Sequence, residues 1–228
     1  MNNHNPLDRP VWAALLHAPQ LAEGGELARR YRRDVNLFAS ARDDEGASLA
    51  ALADLVAPGE SIFMAQVAPV QVPPGLQLVR SVRGVQMLAM GPVAPVDGAE
   101  AVLELGDADA PEMLALARLT EPGPFLERTH TMGRFLGVRI EGRLAAMAGE
   151  RMRFAGGTEV SGVCTHPDFR GRGLARRLSS VVAHAIQQRG DQAFLHAWAS
   201  NHAAIALYET LGFETRTEIQ VAVLARPS

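Results

Sequence analysis

The chain has 228 residues, of which 47% are hydrophobic and 21% are charged, and its formal net charge is −3. This composition is typical of a globular protein with one large domain or two small ones. A net acidic charge argues against a general nucleic-acid-binding surface, so we expect no nucleic-acid partner.

All 22 basic residues are arginine. Without lysine, the chain cannot form the Gly-x-x-x-x-Gly-Lys-Ser/Thr loop of nucleotide kinases. The single cysteine, Cys164, excludes an intramolecular disulfide and a Cys-based zinc cluster, and the histidines lack metal-ligand spacing, so we expect no metal. No segment approaches the roughly 18 apolar residues of a membrane span, and the start lacks the parts of a signal peptide. We therefore expect a soluble cytoplasmic protein with no membrane partner.

Residues 1–95 contain signals for a mixed α/β region. Pro10 suits the first position of a helix, and a second helix is expected at 48–56, before the breaker Pro58-Gly59. The Gly- and Pro-rich segment 91–98 predicts a linker, which divides the chain into domains 1–95 and 100–228. Runs of β-branched and apolar residues predict strands in the first domain at 61–67, 76–82 and 85–90.

Residues 100–228 show a clearer alternation of strands and helices. After a strand at 101–105, Asp109, Pro111 and Glu112 favour a helix start, because a capping Asp, an early proline and an acid near the positive dipole end all stabilise it. Interleaved helices and strands indicate an α/β or α+β fold with a central mixed sheet flanked by helices. The later predicted elements are a short helix at 125–132, a hairpin of 134–140 and 144–153, a strand at 158–165, a helix at 174–189, a strand at 193–199, a helix at 201–211 and a strand at 218–224.

A glycine- and arginine-rich turn lies between the strand at 158–165 and the amphipathic helix at 174–189. Gly171 and Gly173 let the backbone approach a ligand closely. The helix that follows presents unpaired N–H groups and a positive dipole end. Arg170 and Arg172 add positive charge. This pattern predicts a site for an anion such as a pyrophosphate, with a solvated basic turn as the alternative.

Two motifs together resemble the GNAT superfamily of N-acetyltransferases. Arg170-Gly-Arg-Gly-Leu-Ala175 is similar to its Arg/Gln-x-x-Gly-x-Gly/Ala signature, and Asn201-His-Ala-Ala-Ile-Ala-Leu-Tyr208-Glu-Thr-Leu-Gly-Phe213 to its Asn-x-x-Ala-x-x-Leu-Tyr-x-x-x-Gly-Phe signature. They occur in the family's order, one helix and one strand apart. The second half also resembles the C-terminal domain of glycine N-acyltransferase-like proteins. That resemblance implies a GNAT fold for residues 100–228. One interpretation of residues 1–95 is that they form a degenerate copy of the same fold.

The resemblance implies that acetyl-CoA is the acyl donor. Asn201 would bond the pantetheine arm, Ala204 would give a smooth wall, and Tyr208 would protonate the leaving thiolate, since tyrosine keeps its proton at neutral pH. Asn201 and Tyr208 are seven residues apart and share a helix face with Ala204 and Ile205. The backbone would contribute two sets of residues: Val163, Cys164 and Thr165 for the pantetheine, and Gly171, Arg172, Gly173, Leu174 and Ala175 for the pyrophosphate. The Arg170 side chain would add positive charge to the pyrophosphate site.

The group that takes a proton from the incoming ammonium is less clearly indicated. Glu159 is the candidate base, because the period of two puts it on the strand face of Ser161, Val163 and Thr165. His166 and His130 are alternatives, and a surface role for Glu159 is another. Cys164 is expected to be a small buried hydrophobe rather than a nucleophile.

The sequence predicts an enzyme that acetylates a primary amine of a small molecule or amino acid. Two alternatives stay open: a protein or peptide N-terminus as the acceptor, and a non-catalytic acyl-CoA-binding module. The loop at 123–135, with Phe125 and Phe135, either shapes the acceptor site or packs on its own aromatic rings. Residues 1–95 either cover the acceptor cleft or form the surface of a homodimer.

Overall fold

The computed structural model describes residues 5–98 and 101–228. Residue 100, where the second predicted domain starts, lies outside the described residues, as do residues 1–4 and 99. The helices are α1 (Pro10–His17), α2 (Gly46–Asp54), α3 (Ala110–Thr120), α4 (Leu174–Gln188) and α5 (His202–Glu209). The strands are β1 (Ala22–Gly24), β2 (Ala28–Tyr31), β3 (Ala39–Ala41), β4 (Ser61–Gln66), β5 (Gln77–Ala89), β6 (Leu103–Leu105), β7 (Phe135–Ile140), β8 (Arg143–Phe154), β9 (Gly157–Thr165), β10 (Gln192–Trp198) and β11 (Phe213–Ala225).

Eight strands form one mixed sheet in the order β4-β11-β5-β10-β9-β8-β7-β6. All its neighbouring strands are antiparallel except β9 and β10, which run parallel. Strands β1 to β3 form a separate antiparallel sheet. The predicted α/β class with a central mixed sheet is thereby confirmed. Within residues 5–98 and 101–228, none of the helices has the length and apolar character needed to cross a bilayer.

Strands from both sides of the predicted linker share this sheet. β4 and β5 come from the first half and pair with β11, and β5 also pairs with β10. The linker at 91–98 therefore lies between β5 and β6 of one sheet, so the two predicted domains do not each have a main sheet of their own.

Helices cover both faces of the sheet. In α4, buried residues recur every four positions at Leu174, Leu178, Val182 and Ile186, which is the apolar stripe of an amphipathic helix. This stripe packs in one cluster with Leu195 of β10. The neighbouring Phe194 points to the opposite face, where it packs with α1. Helix α3 lies on that opposite face too, in a cluster with Met147 of β8 and Cys164 of β9.

The structure differs from the predicted elements in three places. The strands expected at 76–82 and 85–90 are one strand, β5, because its pairing with the equally long β11 runs past Gly84. The helix expected at 125–132 is only a 3-10 turn at Thr129–Met132, since Phe125 packs edge to face on Phe135 with ring centroids 5.6 Å apart. Strands β1 to β3 were not expected, because their short, arginine-rich segment lacks a strand pattern.

We expect Leu178→Ala to destabilise the fold by about 2–5 kcal/mol, because it leaves a cavity under α4 at a fully buried position. The exposed Leu119→Ala in α3 is the matched control and should change the free energy of unfolding by less than about 0.5 kcal/mol. Urea unfolding followed by circular dichroism measures both. Equal effects of the two substitutions would contradict the packing described here.

Candidate active site

The site begins where two parallel strands separate. β9 and β10 pair only from Gly157 opposite Gln192 to Glu159 opposite Phe194. From there β10 continues alongside β5 as far as Trp198, while β9 continues alongside β8 as far as Thr165. The edge of β9 that faces β10 is therefore open over its last six residues, and it lines a cavity of about 310 Å³.

A bulge in β9 changes which side chains face this cavity. From Ser161 to Cys164 the chain of β9 advances by three residues, while the paired segment of β8 advances by two. Gly162, within this bulge, has a positive φ of 62°, which glycine tolerates best. Val160 and Val163 consequently pack together under α4, whereas Cys164 packs with α3. The prediction that Glu159 shares a strand face with Val163 and Thr165 is wrong, because the bulge shifts the alternation by one residue.

The predicted anion site lies at one end of the cavity. The turn before α4 holds Gly171 and Gly173 at φ values of 77° and 70°, and the space around both α-carbons is open. The first hydrogen bond of α4 runs from the N–H of Arg177 to the carbonyl of Gly173, so the N–H groups of the preceding turn point outward. Arg170 and Ala175 line the cavity itself.

Helix α5 forms the wall opposite the open edge of β9. Asn201 accepts a hydrogen bond from the Ala204 N–H at 3.2 Å and so caps the helix. The cavity wall is made by Asn201, Ala204, Leu207 and Tyr208, whereas Ile205, which was expected on this face, packs in the core. Burial, aided by the negative charge of Glu159, raises the pKa of Tyr208 to about 12. The phenol therefore keeps its proton throughout the physiological pH range.

Glu159 lies behind the cavity as a fully buried anion. Its two oxygens accept hydrogen bonds from Nε and Nη2 of Arg151, at 2.9 and 2.8 Å, and Oε1 also bonds Nδ1 of His196 at 2.7 Å. Burial alone would raise the pKa of this carboxyl, but the charge of Arg151 and the hydrogen bond from His196 outweigh it and lower the pKa to about 2. The carboxylate is held ionised.

Hydrogen bonds around Gln86 indicate which ring nitrogen of His196 carries a proton. The amide oxygen of Gln86 accepts from Arg216 at 2.9 Å, and its nitrogen donates to the Leu7 carbonyl at 2.9 Å. The same nitrogen lies 3.0 Å from Nε2 of His196, which must then be an acceptor. The imidazole is accordingly neutral, with its Nδ1–H on Glu159, and its ring borders the cavity.

The other predicted candidates lie elsewhere. His166 accepts from the Asp168 N–H in the turn before α4, and His130 contacts Asp107 at 2.9 Å. Neither belongs to the cavity lining among the described residues. Cys164 lines the cavity, but burial raises the pKa of its thiol to about 11, so it is a poor nucleophile. Within residues 5–98 and 101–228, no three His, Cys, Asp or Glu side chains are grouped to hold a metal ion.

Several site residues were not found from the sequence. Arg151 and His196 lie on different strands, and the sequence gave no sign that they meet, although a histidine inside the run Phe194-Leu195-His196 was a visible signal. Phe38 and Phe63, from the first half, also line the cavity. They reach it only because β4 joins the sheet beside β11.

The mixed sheet opens between two parallel strands, a glycine-rich helix start adjoins the opening, and a protonated tyrosine lines it. This arrangement is typical of an acyl-transferring enzyme. The family model described as FR47-like protein matches residues 135–221. The ribosomal protein bS18-alanine N-acetyltransferase of Salmonella typhimurium is 32% identical over 119 residues, which are 50% of this chain and 80% of that protein. The mycothiol acetyltransferase of Saccharomonospora viridis is 36% identical over 100 residues, 40% of this chain and 33% of that protein.

Solved structures agree with these sequence comparisons. A crystal structure of a GNAT-family protein from Novosphingobium aromaticivorans superposes with a TM-score of 0.92, at 43% identity over 99% of this chain and 100% of that one. A GCN5-related N-acetyltransferase from Kribbella flavida, at 18% identity and a TM-score of 0.64, shares the fold over 96% of this chain and 94% of that one. The chain belongs to the GNAT superfamily of N-acetyltransferases and is an acyltransferase. The similarity to glycine N-acyltransferase-like proteins stays a prediction.

The depressed pKa of Glu159 predicts a pH-dependent loss of stability. Lowering this pKa from the ordinary 4.5 to about 2 corresponds to roughly 3 kcal/mol of folding free energy, fully present above about pH 4.5 and lost as the pH falls towards 2. We expect Glu159→Gln to flatten the decline in unfolding free energy over this range, measured by urea unfolding at several pH values. The exposed Glu218→Gln is the control and should keep the wild-type slope. An unchanged slope in Glu159→Gln would argue against a buried carboxylate.

Proposed function

We propose that this protein transfers the acetyl group of acetyl-CoA directly to a primary amine of a small molecule or amino acid. The observation that carries the proposal is the open edge of β9, which faces Tyr208 across the cavity and leads to the N-terminus of α4. Together these features suit a donor that has an extended amide-bearing arm, a pyrophosphate and a thioester.

The residues of this site fit such a donor at each end. The backbone of Val163, Cys164 and Thr165 has no strand partner on the cavity side among the described residues, so it can pair with pantetheine amides as a neighbouring strand would. The turn from Gly171 to Ala175 supplies N–H groups to the pyrophosphate, with the open space around its glycines admitting the phosphates. Asn201 and Ala204 line the path between the two.

When bound, the donor supplies a thioester whose acyl carbon is attacked by the amine nitrogen while the carbon–sulfur bond breaks. A backbone N–H of the β9 edge stabilises the negative charge that develops on the carbonyl oxygen. Tyr208 gives its proton to the leaving sulfur, and the second proton of the amine nitrogen replaces it. One proton is released to solvent in each turnover, which balances the conversion of an ammonium and a thioester into an amide and a thiol.

The ammonium proton goes, in our proposal, to the buried pair of His196 and Glu159. Glu159 was predicted to act as the base, but both of its oxygens are engaged and it lies behind His196. His196 borders the cavity, and its Nε2 can take the proton once the Gln86 amide turns away from it and keeps only its bond to the Leu7 carbonyl. The carboxylate of Glu159 then stabilises the imidazolium through Nδ1–H, and so acts as a positioning residue.

A peptide N-terminus is the second candidate acceptor, because the bS18-alanine relative is named for that activity. One observation favours a small amine instead. The acceptor side of the cavity is walled by Phe38 and Phe63 from the first half of the chain, a part that lies outside the residues 135–221 matched by the family model. A binding module without catalysis is disfavoured by the protonated Tyr208 that lines the cavity.

We expect Tyr208→Phe to lower kcat for thiol release from acetyl-CoA by roughly 100-fold or more, because the thiolate loses its proton donor. The test is an assay with acetyl-CoA and a panel of amines, amino acids and short peptides. Tyr31→Phe is the control, since Tyr31 is the other tyrosine of the chain, is also buried, and lies outside the cavity lining among the described residues. Because the pKa of Tyr208 is about 12, the wild-type rate should show no alkaline loss from its ionisation up to about pH 10.

Equal rates for Tyr208→Phe and Tyr31→Phe would refute the proton-donor role. Failure to bind acetyl-CoA in calorimetry would refute the proposal as a whole.

We expect His196→Ala to lower kcat/KM at neutral pH by roughly 10²–10⁴-fold, because the ammonium then has no proton acceptor. The deficit should shrink at pH values above the pKa of the amine itself, where the acceptor arrives without the extra proton. A pH profile of kcat/KM for wild type and variant measures this. A deficit that is constant with pH would point to a structural role for His196 instead.

A further inference from the structure

Part of the cavity is not accounted for by the donor. We call this part the acceptor limb and define it by Phe38, Phe63, Ala65, Met152, Ile219 and Val221. All of them except Phe63 are less than 9% exposed, although they border a cavity. The limb is therefore a closely packed apolar end of the cavity, and its walls belong to one hydrophobic cluster of the core.

Arg151 is the charged side chain that borders this limb. Its guanidinium lies over the ring of Phe38, 4.8 Å from the centroid, with Nε and Nη2 bonded to Glu159. Nη1 has no hydrogen-bond acceptor among the described residues, so its two N–H groups are available to a ligand. Glu121 is the acidic residue of the cavity lining among the described residues, and it is exposed on the loop after α3. The limb itself therefore offers no carboxylate to a second ammonium.

We propose that the acceptor is a small monoamine with an apolar group of about the size of a benzyl group, and with a carbonyl or carboxylate oxygen beside its amino group that Nη1 of Arg151 binds. This inference rests on the proposed acetyl transfer and names its substrate class. The apolar walls of the limb favour a hydrocarbon group on the acceptor and disfavour additional charged groups on it. The cavity of about 310 Å³ also has to hold the reacting end of the donor, and it lies at the small end of ligand sites, which suits a compound of this size.

The test measures kcat/KM for thiol release at saturating acetyl-CoA. The acceptors are phenylalaninamide, phenylalanine, 2-phenylethylamine, glycinamide, spermidine and an alanine-initiated tripeptide. We expect phenylalaninamide or phenylalanine to exceed glycinamide at least tenfold, because glycinamide lacks the apolar group. We expect 2-phenylethylamine to fall about two- to tenfold below the better of the two, because it lacks the oxygen that Arg151 binds. The ratio of phenylalanine to its amide tells a carboxylate from a neutral carbonyl.

A substitution in the limb connects this selectivity to its walls. Phe63→Trp narrows the limb from strand β4, so the ratio of kcat/KM for phenylalaninamide to that for glycinamide should fall at least fivefold. Val79→Trp adds the same side chain at an exposed position of β5 and should leave the ratio as in the wild type. Calorimetry with acetyl-CoA alone shows that each variant is folded and binds the donor.

Several outcomes would overturn the inference while leaving acetyl transfer intact. They are a preference for spermidine or the tripeptide, equal use of glycinamide and phenylalaninamide, and an unchanged ratio in Phe63→Trp. Thiol release with none of the six acceptors would also overturn it. In that case calorimetry decides separately whether the donor site stands, because acetyl-CoA binding does not depend on the acceptor limb.

Discussion

The site depends on one interruption of the sheet. β9 and β10 are hydrogen-bonded as parallel neighbours for three residues each, after which each strand keeps only its partner on the far side. An unpaired strand edge inside a protein leaves N–H and C=O groups without partners, which is costly unless water or a ligand satisfies them. A ligand with an extended, amide-bearing arm meets this requirement, and the same opening gives that arm a defined direction towards the N-terminus of α4.

The buried charges behind the opening are satisfied by one another. Arg151 and Glu159 form a two-point ion pair, His196 donates to the same carboxylate, and Gln86 holds the other side of the imidazole. Removing one partner of such a group leaves an uncompensated buried charge, so its members depend on one another for stability as well as for position. The arrangement places an imidazole at the cavity with its tautomer determined, and the hydrogen bond from Gln86 has to open before Nε2 can take a proton.

The first half of the chain is part of the site rather than an accessory to it. Its strands β4 and β5 bracket β11 in the sheet, and they bring Phe63 and Gln86 to the cavity region. Phe38 reaches the same region from the segment before β3 and stacks on Arg151. Acceptor selection in our proposal therefore involves residues that lie more than 100 positions away from Tyr208 along the chain.

The local features of the site could be predicted from the sequence because they depend on short spacings. The four-residue stripe of α4, the glycines of the turn before it and the seven-residue spacing of Asn201 and Tyr208 each lie within one or two elements, and the structure contains all of them. The bulge at Gly162 could not be predicted, because a glycine in a strand does not reveal where the partner strand slips by one residue. The Arg151–Glu159–His196 group could not either, since its members come from three strands and only the pairing of those strands brings them together.

By itself, then, the sequence determined the class of fold, the glycine-rich turn before α4 and the tyrosine that keeps its proton. Only the tertiary structure decided which histidine borders the cavity, why Glu159 is an ionised anion behind it, and which residues wall the acceptor limb. The physical reason is that these depend on pairing between strands far apart in sequence, and on the burial and charge that such pairing creates.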